Sequence, residues 1–243
     1  MTLASAVAFP RGARPRQCCA CSAARVGPCR TSIVWWKSGT MVFAMITKSE
    51  AVWRHLLVRA FEGERRLPSI TDLSSQLELG VSTVHKALQR PVAIGAVRVR
   101  GSGGIRVLDP WRLLMMWAGR RDLSHDVLAV YRTPMSAPDA ERVLAEKPLV
   151  LGGFGAVVGH LQGNRIADYD QVLCYGSPDD LPARLKGQQG DVVITVLEPD
   201  PLLARYGRLT PLPQAYVDLF NTPGWPAERF VHALSVEVFS VAA

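Results

Sequence analysis

Apolar residues recur at helical spacing over residues 49–61. Val52, Leu56, Leu57 and Ala60 share one face there and predict an amphipathic helix that Ser49 can cap. The rhythm returns after Pro68, where Ile70, Leu73 and Leu77 form a second apolar face. Ser69 followed by Asp72 three residues on reads as a capping box, with Asp in the place of the usual Glu. Gly80 predicts a stop and a reversal of the backbone, and Ser82 predicts the N-cap of a third helix. Val84, Ala87 and Leu88 then point inward, which leaves Thr83, His85, Lys86, Gln89 and Arg90 on the opposite face. Pro91 lacks a backbone donor and disfavours helix at the residue before it, so the third helix is expected to end or kink there. The period then drops to two. Val97, Val99, Ile105 and Val107 alternate with Arg98, Arg100 and Arg106 around Gly101, Ser102, Gly103 and Gly104, which predicts a hairpin with one apolar and one cationic side.

Two such helices followed by a basic hairpin resemble a winged helix-turn-helix domain over residues 47–108. The resemblance implies a third helix that reads the major groove of double-stranded DNA and a hairpin that serves as the wing. Ser82, Thr83, His85, Lys86, Gln89 and Arg90 would then face bases or phosphates, and Arg98, Arg100 and Arg106 would touch the flanking backbone or the minor groove.

Asp109 and Pro110 open a further helix over residues 111–120, whose Leu113, Leu114, Met116 and Trp117 suit a core or an interdomain contact. From residue 124 strand-like runs (127–131, 171–175, 191–197) alternate with helical patterns (137–145, 154–161, 179–185). That alternation predicts an α/β unit with one mixed sheet. Helices over 212–220 and 227–234 follow, and the last apolar run, 236–241, suits an edge strand. The expected fold class is α+β. Residues 46–109 would form the DNA-binding domain, 110–123 a linker helix, and 124–243 an α/β regulatory or partner domain.

A pI near 9.5 and a formal charge of +7 suggest a uniformly basic chain, but the charge is unevenly spread. Residues 1–49 hold seven basic side chains and no acidic one, residues 50–109 nine and six, and residues 110–243 twelve and fifteen. The excess that bears on DNA is therefore the local one at the third helix and hairpin. The first 45 residues lack periodicity and read as a disordered or mis-annotated extension, with Met41 and Met45 as alternative starts to Met1. Cys18, Cys19, Cys21 and Cys29 do not follow a zinc spacing, and Cys174 stands alone as a small buried apolar residue. Arg120, Arg121, Arg205 and Arg208 read as solvated charges. No apolar run reaches the ~20 residues of a membrane span, and a cytoplasmic location is expected.

The closing PLPQAYVDLFNTPGWPAERFVHAL (211–234) resembles the end of winged-helix regulators related to the antitoxins of type IV, abortive-infection toxin–antitoxin systems. The order of motifs is similar as well: a helix opening with Asp-Pro, a Gly-Gly helix start, and Leu197-Glu198-Pro199 after a strand. The resemblance implies a regulator that binds its own promoter, with a toxin as partner; a homodimer and an effector protein are further partner classes among which the sequence of the second domain does not choose. Gly152-Gly153 followed by Asp168-Tyr169-Asp170 also resembles the nucleotidyltransferase signature, in which glycine amides approach a triphosphate and two aspartates hold Mg²⁺. The alternative function is thus a Mg²⁺-dependent nucleotidyltransferase using Asp168 and Asp170. In the antitoxin reading the same residues form an inactive scaffold without cofactor, and Asp168 and Asp170 are solvated residues at the start of a strand.

Overall fold

The computed structural model describes residues 48–101 and 104–239. The N-terminal cysteines, the alternative starts and the run 240–243 lie outside the described residues, as do Ser102 and Gly103. The protein is a mixed α+β structure with eight α-helices and two sheets among the described residues.

Helix α1 (Lys48–Phe61) buries the expected stripe of Val52, Leu56, Leu57 and Ala60. Ser49 falls inside its first turn, so it is not the cap. A two-residue strand, β1 (Arg66–Leu67), leads into α2 (Ile70–Gln76). Both halves of the capping box form: Asp72 N–H donates to Ser69 Oγ at 3.2 Å, and Ser69 N–H donates to Asp72 Oδ2 at 3.2 Å. The reversal before α3 (Val81–Ala93) is made by Glu78, at φ 53°, rather than by Gly80. Gly80 is the extended N-cap of α3, which places Ser82 inside the first turn instead of at the cap.

Contrary to the expectation from Pro91, α3 runs through that residue to Ala93. A proline at position 91 deprives the carbonyl of Ala87, four residues earlier, of its helical donor. The indole Nε1–H of Trp53 on α1 supplies the missing bond, donating to Ala87 O at 2.8 Å. Trp53→Phe should therefore cost about 1–3 kcal/mol by stranding a buried carbonyl. In a Pro91→Ala background, where an amide again reaches Ala87, the same change should cost about 1 kcal/mol less. Urea unfolding of the four proteins measures the coupling, and equal costs in the two backgrounds would refute it.

Strands β2 (Val97–Arg100) and β3 (Gly104–Val107) form the hairpin, and β3 pairs with β1 on its other side, giving an antiparallel sheet of order β1-β3-β2. Gly104 has φ 75°, and a Cβ there would lie 2.5 Å from the carbonyl oxygen of Leu67, so only glycine admits this close approach of β1. Helix α4 (Pro110–Ala118) is capped by Asp109, which accepts from Arg112 N–H at 2.8 Å.

The second sheet is built from β4 (Val127–Thr133), β5 (Val150–Gly152), β6 (Gln171–Tyr175) and β7 (Val192–Leu197), in the order β4-β7-β6-β5. It is mixed as expected: β6 and β7 are parallel and the outer pairs antiparallel. Helix α5 (Ala137–Ala145) packs through Ala140, Val143 and Leu144 against Val172, Cys174, Ile194 and Val196. Residues 179–185 are not a helix. Pro178 and Pro182 break them into two short 3₁₀ turns, Pro178–Asp180 and Ala183–Leu185.

Helices α6 (Gly153–His160), α7 (Leu212–Phe220) and α8 (Trp225–Ala233) carry the second sheet onto the first helices. Residues of α1, α3, α4, α6, α7 and α8 belong to one hydrophobic cluster, with Trp117 of α4 fully buried in it. The described part of the last apolar run, 236–239, does not make an edge strand. Residues Leu234–Val238 instead continue α8 as a π turn, in which Phe239 N–H donates to Leu234 O at 3.0 Å. The five-residue spacing buries both Leu234 and Phe239 on one side, and Phe239 meets Phe61 with ring centroids 4.5 Å apart.

Candidate nucleic-acid interface

The apolar side of α3 (Val84, Ala87, Leu88) is buried, and its polar side stays open. Ser82, His85, Lys86, Gln89 and Arg90 are exposed and Thr83 is half-buried. The second half of the chain grips the neighbouring turn without covering this side: Arg205 Nη1 donates to Gln76 O at 2.6 Å and also pairs with Glu78.

The hairpin stands beside α3. Val99 of β2 lines one groove with His85, Gln89 and Val92 of α3. Strand alternation turns Arg98, Arg100 and Arg106 to the other side of the sheet, where all three are exposed. Register brings them together: Arg98 is opposite Arg106, and Arg106 is opposite Arg66 on β1. Arg66 is exposed as well, so three arginines form a row across three strands with Arg100 two residues along from Arg98. Like charges directly opposite in a sheet are destabilising, so folding supplies no reason for this row. Among the described residues, no ion pair engages Arg66, Arg98, Arg100, Arg106, Lys86 or Arg90. Arg66 has no signal in the sequence, because a two-residue strand carries no periodicity; its register to Arg106 exists only in the folded sheet.

Asp168 and Asp170 of the nucleotidyltransferase pattern lie in the segment just before β6, and both are exposed, as expected of solvated residues at the start of a strand. Between them Tyr169 stacks on Phe154 with centroids 4.5 Å apart and donates to Glu141 Oε2 at 2.9 Å. Gly152 and Gly153 are buried, and the position their backbone could offer a phosphate holds the carboxylate of Asp218. Asp218 Oδ2 accepts from Gly153 N–H at 3.4 Å, Oδ1 accepts from Tyr175 Oη at 2.7 Å, and a Cβ on Gly152 would lie 2.9 Å from Oδ2. Burial pushes the Asp218 carboxyl up to about 6, against the opposing pull of Arg121. Among the described residues, no group of three or more His, Cys, Asp or Glu side chains could hold a metal ion.

Compared with protein-family models, curated proteins and solved structures, the chain matches none.

The four arginines expected to be solvated have separate fates. Arg121 is buried between Glu50, at 3.4 Å, and Asp126. Arg205 holds the α2–α3 turn, and Arg208 donates to the carbonyl of Lys147. Arg120 is exposed, and its guanidinium lies over the Trp53 ring, 5.8 Å from the centroid. Cys174 is buried as expected, and burial pushes its thiol up to about 12. No helix among the described residues is long and apolar enough to cross a membrane.

Proposed function

We propose that the chain is a sequence-specific DNA-binding transcriptional regulator in which residues 48–107 act as a winged helix. The order α1-β1-α2-α3-β2-β3 with sheet order β1-β3-β2 supports that architecture. In this reading α3 enters the major groove with Ser82, Thr83, His85, Lys86, Gln89 and Arg90, and the cationic sheet meets flanking phosphates. The row Arg66–Arg106–Arg98 carries the reading, since it assembles like charge that only a polyanion would reward. The second half would serve dimerisation, an effector or a toxin-like partner, as in an antitoxin-like autorepressor.

The test is the salt dependence of binding to duplex DNA. Each lost phosphate contact flattens the slope of log K against log salt by about one unit. Lys86→Ala and Arg100→Ala should each do so while weakening binding to all sequences alike. Unchanged slopes in both variants would reject the assignment.

A further inference from the structure

Arg120 lies outside the α1–β3 unit, in the turn after α4, yet it reaches the flank of α3 away from the hairpin. It lines an open pocket with Lys86, Gln89 and Arg90 of α3 and with Ser49 and Trp53 of α1. We propose that Lys86, Arg90 and Arg120 form a clamp for a DNA backbone phosphate on that flank; this rests on the DNA-binding reading above.

Three observations carry it. The three cations are exposed, and none enters an ion pair among the described residues, although they converge on one concavity. The carboxylate on the pocket wall, Glu50, is buried and pairs with Arg121 at 3.4 Å. Arg120 is also held in place. The Trp53 ring supports its guanidinium, and the next residue, Arg121, is locked into the core by Glu50 and Asp126. The free phosphate ion offers the same oxygens, but a duplex presents them at the edge of the groove that α3 would occupy.

The experiment measures binding of the full chain to a mixed-sequence duplex between 50 and 200 mM KCl. It compares wild type with Arg120→Ala, Arg120→Lys and, as an internal reference, Arg100→Ala. Arg120→Ala should flatten the slope by about one unit, so that wild type loses about 3.5-fold more affinity over that range than the variant does. Arg120→Lys, which keeps the charge, should retain the wild-type slope. A calorimetric titration with inorganic phosphate separates the two sources of the anion: the clamp predicts no saturable binding at submillimolar phosphate, and saturable binding there overturns the duplex assignment. A flattened slope in Arg100→Ala with none in Arg120→Ala rejects the clamp and leaves the DNA reading intact. Wild-type protein that ignores duplex DNA at 50 mM KCl rejects the DNA reading itself.

Discussion

Asp200→Ala should destabilise the protein by about 3–5 kcal/mol, the range found when one partner of a buried ion pair is removed. Arg54 of α1 has no exposed surface and Asp200 is 4% exposed. The pair is bidentate: Arg54 Nη1 and Nη2 donate to Asp200 Oδ2 and Oδ1 at 2.6 and 2.8 Å. Arg54 Nη1 also donates to Gln214 Oε1 at 2.9 Å, and the guanidinium lies 5.1 Å from the Tyr206 ring centroid. Without the carboxylate, a fully buried cation keeps only a neutral acceptor and a ring face. The double variant Arg54→Met, Asp200→Leu should cost much less than Asp200→Ala alone, because it removes the desolvated charge together with its partner. Urea unfolding at neutral pH decides between these. A cost under 1 kcal/mol for Asp200→Ala would mean the pair is dispensable.

Glu141→Gln should stabilise the protein at high pH. The Glu141 side chain is 8% exposed, and burial pushes its carboxyl up to about 7, although Tyr169 donates to it and Arg165 lies near. Among the described residues its Oε1 has no hydrogen-bond partner, and it sits where a Cβ on Gly155 would be 2.8 Å away. The native state thus prefers the protonated acid, whereas the unfolded chain ionises near its ordinary 4.5. Between about 4.5 and 7 the folded protein binds more protons, so stability falls as pH rises through that window. A neutral glutamine escapes this loss. The two proteins should be nearly equal at pH 4.5, and the variant should be ahead by about 2–3 kcal/mol at pH 8. Asp218 has its own falling slope, and His55, depressed to about 4 by burial and by Arg59 and Arg54, has a rising one. Both are common to the two proteins and cancel in the difference. A difference that does not change with pH would show that Glu141 ionises normally.

Much of the chain was legible because its signals are local. The Ser69–Asp72 box, the Asp109–Pro110 start and the alternation in residues 97–107 each lie within a few residues, and each has its expected structure. Misreadings came where a distant group overrode a local rule. Pro91 sits inside a helix because Trp53, 34 residues from Ala87, supplies the missing donor. The final apolar run coils because Phe239 finds Phe61 and Tyr216. The candidate interface was half legible: the polar side of α3 and three hairpin arginines follow from spacing, while Arg66 and Arg120 need the folded register and the Trp53 ring. No local pattern announces that Asp218 occupies the Gly152-Gly153 turn, 65 residues from Gly153.

The hydrophobic cluster that runs from α1 through α4 to α7 and α8 bears on how this protein could be dissected or recombined. The stretch up to β3 is a poor cassette: cut free, it would carry into water the leucines of α1 and a guanidinium whose counter-charge stays behind on Asp200. Grafts and truncations that aim to keep α1 and α3 folded must therefore keep the loop after β7 as well.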